Sequence, residues 1–134
     1  LAVSESNSNP VYYVQYAYAR ICSIIRNLAA EGIERRECTA AELEMLNSPE
    51  ERELTVYLGA LTDEIVLAAR SYDPARITHY VIELATKFHK FYAACRVKGE
   101  DEPLMQARLT LCADTAAVIK NVLGLLKISA PEKM

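Results

Sequence analysis

The sequence has no Cys-x-x-Cys pair, no Asn-Gly or Asp-Gly turn, no glycine-rich loop and no long apolar run. Each absence closes off a class of protein. Cys22, Cys38, Cys95 and Cys112 stand far apart among helix-forming residues, so they are expected as buried free thiols in a reducing cytoplasm. Without hairpin dipeptides or sustained polar–apolar alternation, strands are not expected. The chain has only four glycines and no G-x-S-x-G, which leaves neither a phosphate-binding loop nor a nucleophile elbow. His79 and His89 form neither an H-x-x-x-H nor an H-E-x-x-H pair, and no set of three or four converging metal ligands is visible. No apolar stretch approaches the roughly 20 residues that span a bilayer. Leu1 to Pro10 turns polar after Val3, unlike a signal peptide, and Ser129 to Met134 carries no lipidation motif. The expectation is a chain with no catalytic site of its own, no bound cofactor or metal, and no membrane partner.

What is present is helix punctuation. A length of 134 residues suits one domain with one core. Asn9-Pro10 offers a cap and a first-turn proline. The helix it opens should run to Ala30, with Val14, Ala17, Tyr18, Ile21, Ile25 and Leu28 as its core stripe and Gly32 beyond its end. Thr39-Ala40-Ala41-Glu42 and Ser48-Pro49-Glu50-Glu51 are capping boxes. The first opens a short helix to about Leu46, the second a helix carrying Leu54, Tyr57, Leu58 and Leu61. Thr62-Asp63-Glu64 restarts the chain into a helix with Ile65, Val66, Ala68 and Ala69. Asp73-Pro74 opens the longest clean helix, with Ile77, Tyr80, Val81, Leu84, Phe88, Phe91 and Cys95 inward and Gly99 after it. A last helix from about Leu104 to Val122 buries Leu109, Cys112, Ala116, Ile119 and Val122. The fold class expected is all-α, a bundle of about six helices. Residues 10–134 form that domain, and residues 1–9 read as the end of an upstream domain and its linker.

Charge is uneven. The net charge of −3 speaks mildly against a dedicated nucleic-acid binder. From Pro74 to Lys98, however, Arg76, Lys87, Lys90, Arg96 and Lys98 face only Glu83, so one long segment is basic inside an acidic chain. Such a segment either keeps a helix soluble or meets phosphates. Aromatic residues sharpen the choice. Tyr13, Tyr16 and Arg20 share a stripe within about 60° on the first helix, about a quarter turn from its core face. Tyr92 and Arg96 repeat the pattern one turn apart on the long helix. Two readings fit these rows: platforms for splayed bases of a single-stranded nucleic acid, or tyrosines at helix seams with their hydroxyls at the rim.

Residue order adds a resemblance. Asn9-Pro10-Val11-Tyr12-Tyr13-Val14-Gln15-Tyr16-Ala17-Tyr18-Ala19-Arg20 resembles the junction where the catalytic domain of bacterial arginyl-tRNA synthetases meets their C-terminal helical domain. Phe88-His89-Lys90-Phe91-Tyr92 through Arg96-Val97 resembles that domain's penultimate long helix. Ala107-Arg108-Leu109, Val122 to Leu126 and Ser129 to Met134 resemble its ending. The family's four-letter signature, Asp-Ala-Leu-Arg, falls on Ala17-Tyr18-Ala19-Arg20, where only the arginine survives.

The resemblance implies the helical anticodon-binding (DALR-type) domain of a class Ia synthetase. It implies contacts with the anticodon loop of tRNA-Arg from Tyr13, Tyr16, Arg20, Tyr92, Arg96 and Met134. It also implies a catalytic domain on the same polypeptide, using ATP with Mg to attach arginine, a cytoplasmic location and no DNA partner. The alternative is a helical protein-interaction module, with the tyrosine row as a partner-helix groove.

Overall fold

The structure is a computed structural model. It describes residues 10–71, 73–99 and 101–134, and at Thr62, Ile65, Val66, Ala69 and Ser71 it describes the backbone only. The expected linker, residues 1–9, lies outside the described residues, as do the side chains of Ile65, Val66 and Ala69.

The described residues form α1 (Pro10–Ala30), α2 (Ala40–Leu43), α3 (Pro49–Gly59), α4 (Leu61–Ser71), α5 (Pro74–Ala94) and α6 (Glu102–Leu125), with no strand among them. The all-α expectation holds with one correction to the count. Five helices run eleven residues or more, and α2 is a single turn of four. That turn starts where its capping box dictates but stops three residues short of Leu46. One turn gains few hydrogen bonds for the backbone it orders, and no α2 residue is buried. No helix of the described residues is long and apolar enough to cross a membrane.

Helix α5 is the hub, packed against α1, α3, α4 and α6, and α1 also lies along α6. Phe88, Phe91, Leu84, Ile21, Leu54, Leu109 and Ile119 are fully buried at its centre. Truncating either phenylalanine to alanine would cost about 3–5 kcal/mol. Tyr57 of α3 and Tyr80 of α5 stack at 4.6 Å, and each hydroxyl donates to the other's carbonyl. Burial first, then nearby carboxylates, pushes the Tyr57 hydroxyl up to about 12.

Two of the four cysteines depart from expectation. Cys95 and Cys112 are buried, but Cys22 and Cys38 are half-buried; all four are free thiols. Cys38 lies in the connection between α1 and α2 rather than on a packed face, with its sulfur 3.4 Å from the Thr110 hydroxyl.

Two helix ends aim the chain. After α1, Gly32 takes φ 83°, Gly32 N–H donates to Ala29 and Ile33 N–H donates to Leu28. This paired bonding is the usual way a glycine ends a helix. After α6 the same bonding recurs, with Lys127 N–H donating to Gly124 and Ile128 N–H to Leu123. Here the left-handed residue is Lys127, at φ 61°, which costs roughly 1–2 kcal/mol relative to glycine. Gly124 lies inside the final turn, and the helix runs on to Leu125, three residues past the expected Val122. The reversal sends residues 128–134 back toward α1. Ile128 and Ala130 pack on the core, and the Gln15 amide donates to the Ser129 carbonyl at 2.9 Å.

Candidate nucleic-acid interface

The returning tail closes a groove against one face of α1. Tyr16, Ala19, Arg20, Ser23 and Arg26 form its floor, and Glu132, Lys133 and Met134 form its wall, around about 360 Å³. On a helix, Ser23 and Arg26 fall within about 80° of Tyr16, so one face presents all of these residues.

The tyrosines divide between the two readings of the sequence. Tyr16 is exposed, at 42%, as a platform requires. Tyr13 is half-buried in the α1–α5 seam, where its hydroxyl donates to Thr86 Oγ1 at 3.2 Å. The seam reading therefore applies to Tyr13. Between them stands His89 of α5, its ring 5.3 Å from Tyr13 and 6.3 Å from Tyr16. Tyr12 extends the series, nearly parallel to Tyr16 at 6.5 Å. Burial first, and then the Arg20 cation, holds His89 below its ordinary value near 6.5. A neutral imidazole thus supports Tyr16 at neutral pH.

Arg20 joins the two rows that the sequence showed separately. Its guanidinium carbon lies 5.0 Å from the centre of the Tyr92 ring, and Tyr92 in turn stacks on buried Phe88. Tyr92 therefore sits at the edge of the groove. Arg96 does not enter it. Arg96 lines a second cleft of about 770 Å³ beyond Tyr92, shared with Lys98 and Arg108. The link after α5 that carries Arg96 is fixed because Arg108 donates to the Arg96 carbonyl. Arg108 is itself anchored on buried Glu51, Nε to Oε2 at 2.8 Å. The same carboxylate accepts from Ser48 N–H in the capping box. Of the expected residues, then, Tyr16, Arg20 and Met134 share one groove. Tyr13 lies behind it, Tyr92 bridges, and Arg96 stands in the neighbouring cleft.

Electrostatics select among the basic residues. Lys87 pairs with Glu53 and Glu83, Lys98 with Glu31, and Arg76 with Glu64. The basic run expected from Pro74 to Lys98 is therefore largely neutralised, because helices packed alongside bring carboxylates that a count along one segment omits. Arg20, Arg26, Lys133 and Arg96 are among the cations that have no carboxylate within ion-pair distance among the described residues, as is Lys90 of the same basic run. The sequence reading missed Arg26, Ser23, His89 and Glu132 as site residues. Ser23 and Arg26 were legible as positions seven and ten beyond Tyr16, and His89 as one turn before Tyr92. Glu132 had no local signal, because only the tail's reversal brings it there.

The same helical bundle recurs as part of a larger synthetase of known structure. The Thermus thermophilus arginyl-tRNA synthetase matches with a TM-score of 0.80 at 29% identity, over 98% of this chain and 22% of that one. The family model for the DALR anticodon binding domain matches residues 14–134, and the chain belongs to that family. Arginine–tRNA ligases of Acetivibrio thermocellus and Ruminiclostridium cellulolyticum are each 53% identical to it over 134 residues. The alignments cover all of this chain and 24% of each relative, so the chain spans about a quarter of their length.

Proposed function

We propose that this chain is the anticodon-binding part of an arginine–tRNA ligase and holds the anticodon loop of tRNA-Arg for a catalytic domain on the same polypeptide. That catalytic domain would use ATP with Mg to attach arginine, in the cytoplasm. The observation that carries the reading is the groove itself: an exposed Tyr16 beside Arg20 and Arg26, neither held by a carboxylate among the described residues. Splayed loop bases stack on such a ring, and unpaired arginines meet the flanking phosphates. Tyr13 acts through His89, holding the support on which Tyr16 rests. Met134 supplies an apolar wall, while Tyr92 and Arg96 extend the contact to the next nucleotides.

The test is titration with a tRNA-Arg anticodon stem-loop at two salt concentrations, beside a loop whose middle cytosine is replaced. Preference for the native loop, with affinity falling steeply as salt rises, is expected. Tyr16→Ala should weaken binding by about 1–3 kcal/mol and leave helicity and the urea midpoint unchanged. Unfolding of that variant would make Tyr16 structural. Salt-insensitive binding without loop preference would instead favour a protein-interaction groove.

A further inference from the structure

Among the described residues, Glu132 is the only acidic side chain lining the groove, beside Arg20, Arg26 and Lys133. A groove that served phosphates alone would gain nothing from a carboxylate, which repels them. Glu132 is exposed, and among the described residues it pairs with none of the three cations around it. Nor does it dangle. The α6 reversal, the Gln15–Ser129 hydrogen bond and the packed Ala130 fix the segment from which it projects. The groove thus offers, beside Tyr16, a carboxylate with no hydrogen-bond partner among the described residues, carried by a segment anchored at Ser129 and Ala130.

Chemistry says which base would use it. All arginine codons have guanine in the middle, so every cognate anticodon has cytosine there. Cytosine presents an exocyclic amino group, N4–H₂, where uracil presents a carbonyl oxygen. A carboxylate accepts from the former and repels the latter. We infer that Glu132 is a specificity-determining residue of this groove, accepting a hydrogen bond from the amino group of the middle anticodon cytosine and rejecting uracil. The inference rests on the anticodon-binding reading above.

The experiment measures Kd for two stem-loops that differ only in cytosine or uracil at the middle position. The unaltered protein should prefer cytosine by about tenfold or more, the scale of one hydrogen bond to a charged acceptor. Glu132→Ala should collapse the ratio by weakening the cytosine loop. Glu132→Gln can either donate or accept, and it removes a negative charge. It should collapse the ratio by tightening the uracil loop, an effect that lost structure would not produce. Full preference retained in both variants overturns the inference and leaves the anticodon reading standing. Absence of preference in the unaltered protein overturns both.

Discussion

Two regions of this domain use arginine in opposite ways. Outside the α1 groove, Arg36 forks between Glu42 and Glu102, with its closest contact to each at 2.7 Å, and Arg108 sits in a buried pair with Glu51. The hydrogen bonds from Arg36, then from the Thr39 backbone, hold Glu42 down at about 2. These arginines tie the loop after α1 to neighbouring α2 and to distant α6, and α3 to α6. In the α1 groove, Arg20 leans on an aromatic ring and Arg26 has no carboxylate within reach among the described residues. The difference teaches that a cation's role follows from what the fold sets beside it. A paired arginine holds structure, whereas an unpaired one remains available to an anionic ligand and displaces counterions when it binds.

The largest expected effect lies on the structural side. Arg108→Ala leaves the Glu51 carboxylate buried without its cation and should lower the unfolding free energy in urea by about 3–5 kcal/mol. A change below about 1 kcal/mol would remove the pair from the framework.

The next prediction sets one cation from each class side by side. Arg26→Ala should change stability by no more than about 0.5 kcal/mol and reduce the salt slope of RNA binding by about one. Lys98→Ala removes a cation already matched by Glu31, so it should leave the slope nearly unaltered. Equal changes in slope would break the distinction between paired and unpaired cations.

The smallest effect concerns His89. Its NMR titration midpoint should fall below the ordinary value near 6.5. Arg20→Ala should raise the midpoint only part of the way, since burial is the larger cause. The folded state resists this protonation. Its contribution to stability is therefore complete above about pH 6.5 and declines as pH falls from there toward the folded midpoint. A midpoint unmoved by Arg20→Ala would separate Arg20 from the aromatic cluster.

How much was legible in advance varies with the range of the interaction. The capping boxes at Thr39 and Ser48 and the proline-led starts of α3 and α5 appear where local pattern set them. So does the α1 core stripe, apart from half-buried Ile25. The α6 terminus lies three residues past the expected Val122, and Lys127 takes the left-handed turn under the bonding of its neighbours, where no glycine marks it. The site was half legible. The Tyr16–Arg20 stripe lies on one helix face and follows from helical period alone. The contact between Arg20 and Tyr92 joins residues 72 positions apart on different helices, and no local rule reports it.

By itself, the sequence determined that this chain is helical, where most helices begin, which faces are apolar, and which family its ordered segments resemble. Those features depend on side-chain period, caps and residue order, all of which are local. Tertiary structure alone decided which tyrosine is held in a seam and which is exposed, which cations remain without a carboxylate among the described residues, and that Glu132 stands beside Met134 in the α1 groove. Each of these depends on which side chain another helix, or the returning tail, brings within a few ångströms.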